Sequence, residues 1–315
     1  GIVGIWMAHT GWGVWSIAAQ QLVNLGVNTL LLWLLAKWRP LWTYSWRSFR
    51  ELFSFGSKLM LSGLLDVLYR NIYLIVIGKA FSAKDLGYYT RAHQFSEFPS
   101  SNLTGILQRV TYPVLCKIQD DDERLASAYR RFLRVSAFLV FPLLLGLSAV
   151  AEPLILLLLK EQWLFAATLL QIICFSMMWY PVHAINLNLL QVKGRSDLFL
   201  RLEVIKKIVG VVILCATLPF GLVVMCVGQI VSSIFSLVIN THYTGKLIQV
   251  GFLRQMKDLF PVLITSLLMW GVVIGVQLLF DAAMWKLLAG ILSGILFYLG
   301  ASWLFRFPEL KEVRN

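Results

Sequence analysis

Uninterrupted apolar runs of about twenty residues recur along the whole chain, and they constrain its fold more than any other feature. Wound as an α-helix, a run of that length matches the hydrocarbon core of a bilayer. The runs fall at 12–36, 53–79, 87–116, 133–150, 163–190, 198–218, 222–245, 259–280 and 286–305. Residues 1–8 read as the end of a further helix, closed by a turn at His9-Thr10-Gly11, and 153–159 is a shorter apolar piece. A membrane barrel would need short alternating segments instead. The expected fold class is all-α, a polytopic transmembrane helix bundle with nine complete spans and one partial. Connections reach only about a dozen residues, too short for a folded soluble domain. The chain opens at Gly1 inside an apolar run, which reads as a piece lacking N-terminal helices.

The formal net charge of +12 suggests nucleic acid as a partner, but its distribution argues against one. Only 14% of the 315 residues are charged, and the basic ones cluster at alternate connections. Segments 37–50, 117–134, 193–207, 246–257 and the tail beyond 305 hold twenty of the 28 lysines and arginines. The opposite connections hold only Lys79, Lys84, Lys160 and Lys286. Basic loops stay in the cytoplasm, so the rule places these segments and the C-terminus there. Arg201, Lys206 and Lys207 then have to snorkel from the start of their span to that face. Trp38, Trp42, Tyr44 and Trp46 in the first basic loop suit the headgroup layer.

Four basic residues remain inside spans: Lys58, Arg70, Arg91 and Arg109. An ionisable side chain at that depth is costly and marks a pathway or site by default. On the span at 53–79, Lys58, Ser62, Asp66, Tyr69, Arg70 and Tyr73 recur at helical spacing, and Asp66 can pair with Arg70 four residues on. On the span at 87–116, Arg91, Gln94, Phe98, Asn102, Gly105 and Arg109 share a face, with Glu97 and Ser101 at its edge and Pro99 a candidate kink. Such stripes must face protein or a water-filled cavity rather than lipid. One reading is an ion-paired helix interface, with Asp66 on Arg70 and Glu97 on an arginine. The preferred reading is a cationic cavity lined by Lys58, Arg70, Arg91 and Arg109, with an anion, particularly phosphate or pyrophosphate, as guest. Asp66, Tyr73, His93, Gln94, Glu97 and Asn102 are supporting polar or coupling candidates.

Other features read as structural. Cys116, Cys174, Cys215 and Cys226 have neither metal spacing nor a disulfide framework. His183, Asn186, Asn188 and Gln191 suit interhelical hydrogen bonds, and the Gly271/Gly275 and Gly290/Gly294 spacings suit close helix packing. The run from Asp120 to Glu123 reads as a helix start. No catalytic constellation, metal-ligand cluster or phosphate-cradling glycine loop is present.

The stretches FSFGSKLMLSGLL (53–65), LGYYTRAHQFSEFPSSNLTGILQRVTYPVL (86–115) and AINLNLLQVKGRSDLFLRLEVIKK (184–207) resemble the bacterial polysaccharide flippases. These are the Wzx-type exporters of the multidrug/oligosaccharidyl-lipid/polysaccharide exporter superfamily, and the branch containing the colanic acid exporter is the most similar. The resemblance implies two six-helix lobes. Residues 1–36 would end the N-terminal lobe, 37–50 form a cytoplasmic linker and 51–247 the C-terminal lobe. Residues 256–306 would be two additional helices and 307–315 a cytoplasmic tail. It implies a bacterial inner-membrane protein, not an enzyme, that moves undecaprenyl-pyrophosphate-linked oligosaccharide by alternating access. Its partners would be that lipid-linked oligosaccharide, membrane lipid and other polysaccharide assembly proteins. No cofactor is implied, and H+ or Na+ is the coupling ion to test. The alternatives are a multidrug exporter of the same superfamily, a polysaccharide polymerase or ligase, and a non-transporting scaffold. A multidrug exporter would favour membrane carboxylates over arginines, and an enzyme would need a sizeable periplasmic loop.

Overall fold

A computed structural model describes residues 2–13, 15–36 and 44–310. Within them the side chains of Ile2, Glu51, Arg70 and Tyr73 are not described, so the roles expected of Arg70 and Tyr73 lie outside the described residues. So do the expectations for Trp38 and Trp42 and for the tail beyond 310. The described chain is helical throughout and divides into two compact units, 1–51 and 52–315.

The first unit holds α1 (Ile2–His9) and α2 (Trp15–Leu35). They meet across a tight turn in which Gly11 and Gly13 adopt φ of 85° and 48°, the left-handed region that glycine enters without strain. Gly4 lets the helices close, because a Cβ there would lie 2.4 Å from Gln20 Oε1.

Beyond residue 51, nine further helices follow the remainder of α3 (Trp46–Ala80). They are α4 (Ala83–Lys117), α5 (Asp122–Ala149), α6 (Ala151–Leu159), α7 (Leu164–Met177), α8 (Tyr180–Val192), α9 (Ser196–Thr217), α10 (Leu222–Ile248), α11 (Phe252–Gln277) and α12 (Ala283–Leu304). Short connections between the membrane-crossing segments force neighbouring segments to alternate in direction. Seven described segments are long and apolar enough to cross a bilayer: α2, α3, α5, 161–192 taken as one, α10, α11 and α12. The protein is a multi-pass membrane bundle. Helices α4 and α9, of 35 and 22 residues, have the length but are too polar to join that set.

The helix starts follow from sequence. Ser82 and Asp85 form a reciprocal capping box at α4: the Ser82 hydroxyl accepts from the Asp85 N–H at 3.1 Å and the Asp85 carboxylate accepts from the Ser82 N–H at 3.2 Å. Asp121 accepts from the Arg124 N–H at 3.0 Å, so the acidic run opens α5. At α9, hydrogen bonds from Arg195 hold the Asp197 carboxyl down to about 2.

Helix α5 is the central post. Leu125, Tyr129, Leu133, Ala137, Phe141 and Leu145 recur every four residues and are fully buried. Helices α4, α7, α8, α10 and α11 pack around it. Polar bonds tie α11 and the segment after α12 to α5. The Arg130 guanidinium grips Asp258 through two bonds of 2.6 Å, and Arg134 donates to Glu309 at 2.8 Å. Both arginines, expected as loop bases, are half-buried and paired. The two glycine spacings part company. A Cβ at Gly294 would meet Val273 at 3.0 Å and one at Gly290 would meet Val150 at 3.1 Å, whereas Gly271 and Gly275 face open space. Only the pair on α12 buries its face against α11.

Candidate functional site: a polar cavity in the bundle

A cavity of about 740 Å³ lies within the second unit, between α3, α4, the α7–α8 junction, α9 and α10. The two helices too polar to face lipid supply much of its wall. This follows from the requirement that a polar helix face inside a membrane meet protein or water.

The junction of α7 and α8 is a broken helix. Pro181 has no N–H, so the Met177 carbonyl four residues earlier has no donor within the helix. The Ser100 hydroxyl of α4 fills that place, donating at 2.8 Å. The neighbouring Ser176 carbonyl accepts from Ser233 of α10 at 3.4 Å, and Ser176 donates to the Gln229 carbonyl at 3.3 Å. Just beyond the break, His183 Nε2 lies 3.0 Å from Ser233 Oγ and Nδ1 lies 3.3 Å from Asn240 Nδ2. Three helices are thus tied together by side chains at the cavity wall.

The charged centre is formed by α3 and α9. Lys207 Nζ donates to Asp66 Oδ1 at 2.6 Å, lies 3.8 Å from Glu203 Oε2 and sits 4.6 Å above the Tyr69 ring. Lys206 donates to the other Glu203 oxygen. The Lys206 side chain is only 12% exposed. Tyr69 reaches α9 where Gly210 leaves room, since a Cβ there would fall 2.4 Å from the Tyr69 hydroxyl. On α4, His93 Nδ1 is 3.3 Å from Glu97 Oε2, and the Tyr89 hydroxyl accepts from Gln229 at 2.8 Å.

Of the residues expected at the site, Asp66, His93, Gln94 and Glu97 line the cavity. Lys58 is half-buried one turn before Ser62, outside the lining. Arg91, Asn102 and Arg109 are exposed on the adjoining face of α4, where Arg91 donates to Gln94 at 3.0 Å. Asp66 bonds Lys207 on another helix, and Glu97 lies 3.3 Å from His93 one turn earlier. Lys206 and Lys207 do not snorkel to a membrane face: they turn inward because Glu203 and Asp66 offer them partners there. The described lining therefore carries Asp66, Glu97 and Glu203 opposite two lysines. A sequence signal for the lysines existed. Asp197, Arg201, Glu203, Lys206 and Lys207 crowd one span, with Glu203 and Lys207 at the spacing of a helical ion pair. Among the described residues no group of three or more His, Cys, Asp or Glu is placed to hold a metal.

Fold and cavity define a class: a polytopic helical membrane bundle with a polar chamber between helices and a broken helix at its wall. Within that class, the chain belongs to the polysaccharide biosynthesis protein family, whose profile matches residues 1–168. It is 30% identical to the teichuronic acid biosynthesis protein TuaB of Bacillus subtilis, covering 51% of this chain and 34% of TuaB. It is 30% identical to the lipopolysaccharide biosynthesis protein WzxC of Escherichia coli, over 59% of this chain and 38% of WzxC. It is 26% identical to the succinoglycan biosynthesis transport protein ExoT of Rhizobium meliloti, over 56% and 35%. The chain thus spans little more than a third of these relatives. Among solved structures, the lipid II flippase MurJ in an inward closed conformation superposes with a TM-score of 0.72. That match covers 96% of this chain and 64% of MurJ at 16% identity, and shows the fold alone.

Proposed function

We propose that the protein to which this chain belongs translocates a lipid-linked polysaccharide precursor across the bacterial inner membrane by alternating access. The basic loops and C-terminus lie in the cytoplasm in this reading. The polar chamber walled by α4 and α9 carries the argument, in a family named for polysaccharide biosynthesis and in a fold shared with a lipid II flippase. Broken helices at such a chamber suit transporters, since the freed backbone groups line a cavity instead of lipid. The guest is a pyrophosphate-linked oligosaccharide. Lys206 and Lys207 meet its anionic group from α9, and Lys58, Arg70, Arg91 and Arg109 act from α3 and α4. A proton or Na+ gradient drives the cycle, with His93, Glu97 and Asp66 as coupling candidates. The activity is transport, not chemical conversion.

The test is polysaccharide export by the full-length protein after replacing Lys206 and Lys207 by methionine, and separately Arg70, Arg91 and Arg109 by glutamine. Export falls and lipid-linked precursor accumulates while protein level holds. Full export in both variants would sink the reading. The carboxylates of the lining favour a second reading, export of cationic drugs, and raised drug sensitivity on deletion with normal polysaccharide would select it.

A further inference from the structure

A second cavity, of about 420 Å³, lies between the α5–α6 elbow, α7, α10, α11 and the start of α12. It shares no lining residue with the first, because α7 and α10 present a different face to each. Its rim holds Glu152 in the first turn of α6, Asp281 in the α11–α12 turn and Lys286 in the first turn of α12. Among the described residues, none of these three side chains has an ion-pair or hydrogen-bond partner. Lys286 gains nothing from its own helix, because a cation in a first turn opposes the helix dipole. Deeper in, the Trp270 ring packs edge-on to Phe175 and both line the cavity. Ile172, Ile230 and Ile274 complete an apolar wall.

From this order of groups we infer that the cavity binds a glycerophospholipid with a primary-ammonium headgroup, of the phosphatidylethanolamine class. Charges of both signs stand at the rim, and an apolar wall follows. Lys286 takes the phosphate, Glu152 and Asp281 take the ammonium, and one acyl chain enters along the isoleucines. Each headgroup contact is a charge-assisted hydrogen bond not made within the described chain. A choline headgroup has no N–H to give the carboxylates. A glycerol headgroup brings no cation and leaves both carboxylates beside its phosphate. The site is independent of transport in the first cavity.

The test is lipid retention by the purified full-length protein in native mass spectrometry. Phosphatidylethanolamine, phosphatidylcholine and phosphatidylglycerol of identical chains are offered in turn. Ethanolamine lipid is retained roughly tenfold better, the scale of one charge-assisted hydrogen bond. E152Q/D281N removes the preference, and K286M weakens all three lipids. Lipid-free melting temperatures matching the wild type confirm that each variant is folded. Equal retention of the three lipids by the wild-type protein would overturn the inference without any variant. So would an unchanged preference in folded E152Q/D281N, or binding of soluble glycerophosphoethanolamine as tight as that of the lipid.

Discussion

At the scale of the residue, Lys207 governs the electrostatics of the first cavity. Its ammonium meets Asp66 at 2.6 Å and the Tyr69 ring at 4.6 Å, which joins α3 to α9 through long side chains. Lys207→Met leaves Asp66 facing Glu203 without the cation between them, a like-charge situation the native site avoids. Asp66→Asn removes that repulsion, so the double variant loses less than the two singles combined. Asp66 is 38% exposed, so the coupling is set at about 1 kcal/mol, the upper range for accessible pairs. A double-mutant cycle on thermal unfolding in detergent measures it. Additive losses would mean that the pair contributes nothing to holding α3 on α9.

At the scale of the element, the break between α7 and α8 is a trade between two donors for one carbonyl. Ser100 serves Met177 only because Pro181 cannot. Ser100→Ala leaves a part-buried carbonyl at the cavity wall without its hydroxyl donor and costs about 1 kcal/mol. In a Pro181→Ala background the residue-181 amide can reach the same carbonyl, and the cost of Ser100→Ala falls toward zero. Unfolding of the two singles and the double reads this directly. An equal cost in both backgrounds would mean that the hydroxyl, not the carbonyl's need, is what matters. Straightening the helix also reshapes the cavity wall, so Pro181→Ala should slow export even where stability rises.

At the scale of the whole molecule, α11 and α12 are bonded into the bundle rather than laid against it. Exposing apolar surface of α5 to lipid costs little, because lipid tails replace the lost contacts. The polar bonds have no such substitute. Gln255 of α11 donates to Asn186 Oδ1 at 3.2 Å and accepts from Asn186 Nδ2 at 3.1 Å, while Thr244 donates to the same Asn186 oxygen at 2.6 Å. Gln277 donates to the Ala149 carbonyl at 3.0 Å. Asp258, only 9% exposed, neutralises Arg130. Ending the chain after Gly251 strands all of these but the Thr244–Asn186 bond, and losing one partner of a buried ion pair alone costs roughly 3–5 kcal/mol. The shortened protein should leave the monodisperse peak in detergent gel filtration, and Asp258→Ala should reproduce part of the loss. A truncated protein as stable as the full chain would show that α11 and α12 are dispensable additions.

The sequence by itself determined that the chain is a bundle of helices and roughly where they run, since a twenty-residue apolar run has one way to satisfy its backbone in lipid, but not their lengths or breaks: the run at 133–150 became the 28-residue α5. It also marked α4 as a helix that cannot face lipid, because Arg91, Glu97, Asn102 and Arg109 lie too close together for a lipid-facing span. Helical spacing put residues on one face, but not opposite anything. Lys207 looked like a loop base because its partner Asp66 stands 141 residues earlier. Gly290 and Gly271 carry the same spacing, and only packing decided which pair meets a neighbour. Residues 163–190 read as one span, and the break before Pro181 and the α4 hydroxyl that serves it belong to the fold. Periodicity is a property of one helix and is written along it. Partnership belongs to two helices folded side by side, and only the tertiary structure chose whether a charge ran outward to water or inward to an opposite charge.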